Sequence, residues 1–442
     1  MPRRHLEDLA ELARLAVPVV LSRAGMMGLQ LVDAMIVGRM SSRELAFQSI
    51  GFAPVITLVV ASTAFMMGTL VVVAEAHGAG RDASCGAAWR RSLPWVAVLG
   101  LAACVLCLSA EALLLALGQE AELARGGGEV AAILGLSVPG MLLFSTSTAF
   151  LEGLKRPLPG LAVMAAANVV NLALNLVFVP GDFGPVPGGA AGSAIATTLT
   201  RTLMGIALAA YVWWLPDRER FGVRAKPSGD DLAAARTQRR VGTAAALSGA
   251  IEDSGFTILT FVAGWLGALA VAAFVVGLNL AAVIFMVALG IGTATAVRVG
   301  FARGQGAPAA AARAGWLGLG LNTAIMGLCG LVLAAAPAAV VALFSGDAGL
   351  VAMAAPALVL LAWIMPLDGG QVVMASALRG LGDTWVPTAL HTISYVFVMG
   401  PLGWLLAIPF GLGVPGLFLG MGGASAVSVS VLAARFAVLS RR

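Results

Sequence analysis

The chain carries little charge. Lys and Arg number 27 and Asp and Glu 22 among 442 residues, so charged residues make up 11% of the sequence. Ordinary soluble domains contain roughly 25%. Apolar residues make up 60%, and the mean hydropathy is +0.95. This composition excludes a soluble globular protein and predicts a membrane protein that crosses the bilayer many times.

Cysteine and histidine are also scarce. Four Cys are too few for a disulfide framework, and Cys104 and Cys107 lie in an apolar run, which favours small core residues over a redox or metal pair. Only His391 of the three His lies in an apolar run, so no His cluster has metal-ligand spacing. The strings GxSxG, HExxH and GxxxxGK[ST] are absent. We therefore predict no enzymatic activity, no organic cofactor and no direct use of ATP.

Long polar segments are missing as well, since the longest is 215–240. The rest of the chain divides into twelve apolar runs of the length needed to cross a hydrocarbon core of about 30 Å. The runs fall near 14–38, 46–74, 92–117, 129–152, 158–180, 189–214, 241–266, 269–297, 315–344, 350–378, 385–410 and 413–437. We predict an all-α polytopic membrane protein with twelve transmembrane helices.

The basic residues are distributed by loop. With both termini on one side, that side collects 22 of the 27 Lys and Arg and the other side three, while Arg23 and Arg201 lie inside apolar runs. The positive-inside rule places both termini and the 215–240 loop in the cytoplasm. The membrane that we expect is the bacterial inner membrane. The first run is of full length and has no convincing cleavage site, which favours a retained helix over a signal peptide. This distribution also argues against nucleic acid as a partner.

The two halves of the sequence share short motifs in the same order. Gly68-Thr69 recurs as Gly292-Thr293, Leu151 with Gly153-Leu154 recurs as Leu378 with Gly380-Leu381, and Val186–Gly188 recurs as Val414–Gly416. A duplication of six spans predicts two parallel, pseudo-symmetric six-helix lobes with a cleft between them. We place the lobes at 1–215 and 241–442, joined by a solvated cytoplasmic linker at 216–240.

An acid in the apolar stretch 363–383 is the first candidate functional residue. Asp368 lies near Pro366 and before Gly369-Gly370, and a carboxylate at the centre of a membrane helix costs about 2.5–3.5 kcal/mol on insertion scales. Such acids usually face a cavity in the protein, which favours an ion or proton site at Asp368. The alternative is a short acidic turn between two shorter helices.

Asp33 in the first run and an Asn stripe in the fifth form a second candidate site. Asn168, Asn171 and Asn175 recur at helical spacing and share one face. A carboxylate with amide oxygens suits a proton or Na⁺, while hydrogen bonding between helices is the alternative role of the Asn stripe.

The second half of the sequence also contains isolated polar residues within apolar runs. Glu252 and Asp253 interrupt the seventh run, and adjacent positions point about 100° apart on a helix, so periodicity does not decide which of them faces inward. Gln371 shares a helix face with Asp368. We expect four side chains to line a substrate cleft: Asn279, Gln371, Asp253 and Met27.

The chain resembles the multidrug and toxic compound extrusion (MATE) family over essentially its whole length. The strings that carry the resemblance are LVDAMIVGRM (31–40), MGTLVVVAEAHGAG (67–80), NLALNLVF (171–178), GAAGSAIATT (189–198), VGLNLAAVIFMVALGIGTATAVRVG (276–300) and DGGQVVMASALRGLGDT (368–384). The resemblance implies twelve helices in two lobes, and export of cationic, amphipathic small molecules in exchange for H⁺ or Na⁺.

The resemblance also implies roles for individual residues. The cation or proton site of the amino-terminal lobe would comprise Asp33, Asn171, Asn175 and Thr197. That of the carboxy-terminal lobe would use Glu252 and Asp368, as in the NorM-like branch, with Asn279 and Gln371 as neighbours. Na⁺ would bind at Asp33 or at Glu252 and Asp368. We expect a monomer in the bilayer.

Two basic residues within spans depart from the family pattern. Arg201 lies one turn from Thr197 on the same face, where a guanidinium would occupy the place of Na⁺ by pairing with an acid, which favours proton coupling. The alternative function is a flippase for lipid-linked oligosaccharides, which would need a cationic groove for pyrophosphate. Apart from Arg14 and Arg435 at the ends of spans, Arg23 and Arg201 are the only Lys or Arg residues inside the predicted spans, so the antiporter is preferred.

Overall fold

A computed structural model describes the backbone of residues 2–182, 187–225, 232–344 and 347–441, with side chains from residue 7 onward within these ranges. The chain within these ranges is predominantly helical and contains no β-strand. Three residues that entered the repeat and charge analysis, Val186, Lys226 and Arg442, lie outside them.

Within the described chain, nine α-helices precede the central loop and eight follow it. The first nine are α1 (Pro2–Met40), α2 (Ser42–Phe65), α3 (Met67–Gly78), α4 (Cys85–Leu108), α5 (Ala110–Ala116), α6 (Ala121–Gly135), α7 (Val138–Gly153), α8 (Leu158–Phe178) and α9 (Gly189–Trp213). The others are α10 (Leu232–Leu266), α11 (Ala268–Gly304), α12 (Pro308–Ala335), α13 (Pro337–Ala342), α14 (Ala348–Gly380), α15 (Trp385–Thr392), α16 (Gly400–Ala407) and α17 (Val414–Leu439). A π-helical segment, Ile393–Met399, joins α15 to α16.

Ten helices in the described chain are long and apolar enough to cross a membrane. α6 and α7 together form an eleventh candidate, bent by 41°. α10 has 35 residues and is not among the ten, because Glu252 and Asp253 lower the hydropathy of its apolar part. With α10 included, the helices account for the twelve predicted runs, whereas length and composition alone identify ten or eleven.

The described chain divides into two compact units. The amino-terminal unit comprises Ala24–Ala246, and the carboxy-terminal unit comprises Met1–Arg23 together with Leu247–Arg442. Each unit has its own hydrophobic core, with Phe144 buried in the first and Phe274 in the second. The long helices α1 and α10 each contribute residues to both units.

α14 is continuous through the stretch that contains Asp368. The Asp347 side chain caps its start by accepting from the Gly349 N–H at 2.7 Å, and the helix runs through Pro356 and Pro366 to Gly380. The alternative of a short acidic turn between two helices is therefore wrong. Asp368 lies in the interior of the helix and is 2% exposed.

Gly369 allows α14 to approach α12 beside this acid. A Cβ atom at Gly369 would lie 2.7 Å from Asn322 Oδ1 and 2.9 Å from Asn322 Nδ2. Asn322 is fully buried and cannot move away without displacing its neighbours. The glycine after the acid therefore serves the packing of the two helices.

Residues 215–225 pack onto the amino-terminal unit. Phe221 and Val223 are buried in its core, and the Gly86 N–H donates to Phe221 O at 2.7 Å. Arg156 Nη2 pairs with Asp217 Oδ2 at 2.6 Å. This hydrogen bond lowers the pKa of Asp217 and raises that of Arg156. The expectation of a solvated linker is wrong for this part of it.

The start of α10 also packs into the amino-terminal unit. Gln238 is buried, and its Nε2 lies within hydrogen-bond distance of Ser92 Oγ at 2.8 Å and Thr69 Oγ1 at 3.1 Å. A Cβ atom at Gly68 would collide with the Gln238 carbonyl oxygen. The repeated Gly-Thr pair therefore provides the surface on which α10 begins.

Candidate functional site

Asp33 is the centre of a buried polar network in the amino-terminal unit. Asn175 on α8 donates from Nδ2 to Asp33 Oδ1 at 2.8 Å, and Thr197 on α9 donates from its hydroxyl to Asp33 Oδ2 at 2.5 Å. Asn171 Nδ2 donates to Thr197 Oγ1 at 3.4 Å. Asp33 is 5% exposed, and both asparagines are fully buried. One carboxylate thus joins three helices, and the structure brings together the four residues that the sequence singles out here.

Glycines in α1 let it approach α8 closely. A Cβ atom at Gly25 would lie 2.8 Å from Met164 Cγ, and one at Gly28 would lie 3.1 Å from Asn168 Oδ1. Asn168 therefore packs against α1 about a turn and a half before Asp33, and its Nδ2 donates to Met164 O at 2.9 Å. The Asn residues share one face of α8 as their spacing predicts, and this face packs against α1, but Asn168 lies outside the acid's network.

Arg201 brings a permanent positive charge to this network. It lies one turn after Thr197 on α9, is 3% exposed, and interacts electrostatically with Asp33. Its Nη1 donates to Ser137 Oγ at 3.1 Å, which fixes the guanidinium on the α7 side. The guanidinium partly compensates the charge of an ionised Asp33 without a bound ion.

The donors around Asp33 suit a group that exchanges a proton. Both carboxylate oxygens already accept hydrogen bonds, so the acid is stabilised without a metal ion. The Thr197 hydroxyl both donates and accepts, and the Thr197–Asp33 contact therefore survives protonation of the acid. The amide oxygens of Asn171 and Asn175 accept no hydrogen bond within the described residues, which is the usual setting of a buried water.

A cavity of about 290 Å³ lies beside Asp33. Its wall includes Asp33 and Thr197 together with Gln48, Phe52 and Leu134. A pocket whose wall combines one acid, uncharged polar groups and apolar side chains fits an amphipathic cation, because the apolar part of the ligand is desolvated while its charge meets the carboxylate.

The carboxy-terminal unit holds a second group of buried acids. Ser425 on α17 donates to Asp368 Oδ1 at 3.0 Å. Glu252 Oε1 on α10 accepts from Tyr395 OH at 3.2 Å and lies 3.4 Å from Gln371 Nε2. Gln371 also donates to Tyr395 OH at 2.7 Å. Glu252 and Asp368 interact electrostatically, and we call these two residues the acid pair.

The remaining candidates lie outside this network. Of the two adjacent acids in α10, Glu252 is partly buried and faces Tyr395 and Gln371, whereas Asp253 is exposed. Asn279 is also exposed. Met27 is partly buried in α1, in the amino-terminal unit.

Several residues of this site were not predicted. Tyr395 and Ser425 follow no pattern that marks them, since Ser425 lies in a Gly- and Ala-rich segment that is typical of helix packing. Arg379 was counted as a loop residue, but it lies in the last turn of α14, is 8% exposed and interacts electrostatically with Glu252. A basic residue within one turn of a predicted span end is the signal that would have identified Arg379.

Comparison with known proteins assigns the family. The sequence profile of the MatE family matches this chain twice, at residues 18–177 and 244–405. The chain belongs to the MatE family. One match falls in each half of the sequence, and the predicted duplication is thereby confirmed.

Relatives and solved structures extend this similarity over the full length. The chain is 42% identical over 438 residues to the probable multidrug resistance protein NorM of Caulobacter vibrioides, covering 99% of this chain and 93% of that protein. It is 34% identical to the multidrug resistance protein NorM of Burkholderia vietnamiensis, covering 98% and 93%. The crystal structure of the eukaryotic MATE transporter AtDTX14 matches with a TM-score of 0.88 at 20% identity, covering 99% of this chain and 98% of that one. The fold is that of MATE transporters, and the chain is a multi-pass membrane protein.

Proposed function

We propose that this MatE protein is a proton-coupled exporter of cationic, amphipathic small molecules that works by alternating access. The relatives named above are multidrug resistance proteins, which supports export of diverse compounds. We also propose the orientation with both termini in the cytoplasm of the bacterial inner membrane, in agreement with the charge bias.

The observation that carries the proposal is the buried Asp33 network beside an open cavity. Asp33 and Thr197 line the cavity and are hydrogen-bonded to each other at 2.5 Å. When Asp33 is ionised, its charge attracts a cationic ligand in the cavity. When Asp33 is protonated, Arg201 remains as the nearby charge and repels that ligand. Proton and drug therefore compete for the same carboxylate.

The acid pair supplies a second place where a proton exchanges with a positive ligand. Two carboxylates in an apolar setting repel each other when both are ionised, and Tyr395 and Gln371 position Glu252 for proton exchange. Arg379 provides the compensating charge nearby. The pair is therefore suited to taking up a proton as the organic cation leaves.

Transport into proteoliposomes tests the function. The purified chain is reconstituted and a fluorescent organic cation such as ethidium is supplied under either a pH gradient without Na⁺ or a Na⁺ gradient at equal pH. One pH unit provides about 1.4 kcal/mol per proton, enough for about a tenfold concentration ratio in a one-to-one exchange. We expect the pH gradient to drive ethidium uptake, and we expect this uptake to be lost when a protonophore is added.

The two gradients separate the possible outcomes. Uptake driven only by the Na⁺ gradient would show that Na⁺, and not the proton, is the coupling ion. It would also contradict the role assigned to Arg201. Drive by neither gradient would overturn the antiport.

A further inference from the structure

A second polar contact joins the helices that hold Glu252 and Tyr395. Ser248 lies one turn before Glu252 on α10, and His391 lies one turn before Tyr395. Ser248 Oγ and His391 Nδ1 are 2.5 Å apart, and Tyr395 OH donates to Glu252 Oε1 at 3.2 Å. The two contacts therefore join the same pair of helices, and they are separated by one turn along each helix.

The Ser248–His391 contact lies toward one end of the carboxy-terminal unit. It is nearer than the acid pair to the end where α14 terminates at Gly380 and α15 begins at Trp385. The charge bias assigns this end to the cytoplasm. Arg379, in the last turn of α14, attracts the Glu252 carboxylate and repels a positive charge on His391, which favours release of a proton from the imidazolium. Polar groups thus continue from the acid pair toward the cytoplasmic end.

The imidazole of His391 has one nitrogen engaged and one available. His391 is 2% exposed, and its Nε2 has no hydrogen-bond partner within the described residues. Arg379 Nε is likewise without a partner there. Buried polar atoms of this kind normally bind ordered water. An imidazole held by a hydroxyl at Nδ1 and by water at Nε2 is the arrangement that proteins use to pass protons.

The charged and titratable groups around His391 come from three elements. Glu252 lies on α10, Arg379 on α14 and Tyr395 on the same continuous helix. α17 also packs against α15, but its one charged residue, Arg435, pairs with Asp383 at 2.9 Å. Glu252, whose contact with Tyr395 lies one turn from the Ser248–His391 contact, is the acid from which we expect His391 to receive a proton.

We propose that His391 is a proton-relay site between the acid pair and the cytoplasm, with Ser248 as its positioning residue. The O–H bond of the protonated Glu252 breaks, and through a buried water a proton forms an N–H bond at His391 Nε2. The imidazolium then releases this proton to water at the cytoplasmic end and returns to the neutral form. Glu252 is left as a carboxylate, ready for a proton from the other side. This relay rests on the proton coupling proposed above.

Replacement of His391 tests the relay. The full-length variant H391A is compared with wild type in proteoliposomes by pH-driven uptake of ethidium and by ethidium counterflow, which needs no net proton movement. Positioned proton-transfer groups contribute on the order of 10²–10⁴ to a rate, so we expect at least a roughly tenfold loss of pH-driven uptake with counterflow retained. Added imidazole should restore uptake, whereas pyrrole, which has the same size but no basic nitrogen, should not. T392A is the matched control, because Thr392 is the next residue and its hydroxyl donates within its own helix.

The readouts distinguish failure of the relay from failure of the proposed function. Wild-type protein without pH-driven uptake would overturn both. Wild-type drive with unchanged uptake in H391A would overturn the relay alone. Equal loss of uptake and counterflow in H391A, without recovery in imidazole, would assign His391 a packing role and would also overturn the relay.

Discussion

Asp33 illustrates at the residue scale what a sequence can and cannot reveal. Its position in an apolar run marks it as a functional candidate, and the family resemblance relates it to Asn171, Asn175 and Thr197. The hydrogen bonds that join it to α8 and α9 depend on how each helix is rotated about its axis. A single sequence does not encode that rotation in its spacing when both flanks are apolar, which is why Glu252 and Asp253 could not be told apart.

Tyr395, Arg379 and the Ser248–His391 contact were not predicted for the same reason. Tyr395, Arg379 and His391 lie far along the chain from Glu252, and their contacts with α10 arise only when separate helices pack. The sequence predicts which polar residues lie within spans, and packing determines which of them meet.

Replacement of Asp33 by Asn should abolish pH-driven transport. The amide keeps the size of the side chain but cannot exchange a proton, so we expect at least a roughly tenfold loss of ethidium uptake, within the range for a proton-transfer group. Fluorescence-detected size exclusion should show that the variant is still folded. D182N is the matched control, because Asp182 is an exposed acid in the loop after α8 and lies outside every candidate site, and it should transport as wild type does. Normal uptake by D33N would remove Asp33 from the coupling mechanism.

At the element scale, α14 was predicted to contain an acid, but its continuity through two prolines was left open. Pro356 and Pro366 lie inside one continuous helix, since packing against α11, α12 and α17 holds it together. The presence and approximate positions of the twelve apolar runs were predictable from composition, but the helix bounds were not: α1 begins at Pro2 and not near residue 14, and the run 385–410 contains α15, the π-helical segment and α16. The π-helical segment and the packed residues 215–225 were not predictable either, because both depend on contacts with distant elements.

Gly369→Ala should weaken the packing of α14 on α12. The added Cβ would lie 2.7 Å from Asn322 Oδ1, and overpacking of this kind typically costs about 1–3 kcal/mol. We expect a lower melting temperature in detergent and reduced transport, because Asp368 is the adjacent residue. Gly327→Ala on α12 is the control: a Cβ there meets nothing within 4 Å, and Ala gains up to about 1 kcal/mol of helix propensity. A G369A variant as stable as wild type would contradict the close contact.

The packing of residues 215–225 should depend weakly on pH. The Arg156 pairing lowers the folded-state pKa of Asp217, so its stabilisation is present above the unfolded pKa and is lost as pH falls through the folded value. The pair is partly exposed, and we expect D217N to cost no more than about 1 kcal/mol at neutral pH. Thermal melts of wild type and D217N should converge as the pH falls below about 4, the region in which unperturbed Asp titrates. A stability difference that persists at low pH would assign the effect to packing.

At the scale of the whole molecule, the duplication was readable from three weak motif matches, and the twofold family match confirms it. The compact units do not begin and end where the repeats do. The amino-terminal unit includes residues 241–246 from the second repeat as well as the start of α10 in the linker, and the carboxy-terminal unit includes residues 1–23 from the first. Repeat boundaries follow from sequence similarity, whereas the boundaries of the units follow from contacts.

Chains divided between residues 225 and 232 should therefore fold only together. The fragment 1–225 lacks Gln238, whose amide binds Thr69 and Ser92 in the amino-terminal unit, so we expect it to be degraded when expressed alone. Co-expressed halves should copurify and transport ethidium. The longer fragment 1–246 is the comparison, and it should resist limited proteolysis better than 1–225. Equal protease resistance of the two fragments would show that the start of α10 adds nothing to this unit.

The wide helical turn at Ile393–Met399 has a mechanical consequence. A π turn holds one residue more than an α turn, and one residue corresponds to about 100° of rotation around a helix. A change of this turn to regular α-helical geometry would move the Tyr395 phenol away from Glu252 and Gln371, while the helix would stay continuous. The π-helical winding of this segment therefore sets the direction from which Tyr395 meets Glu252 and Gln371.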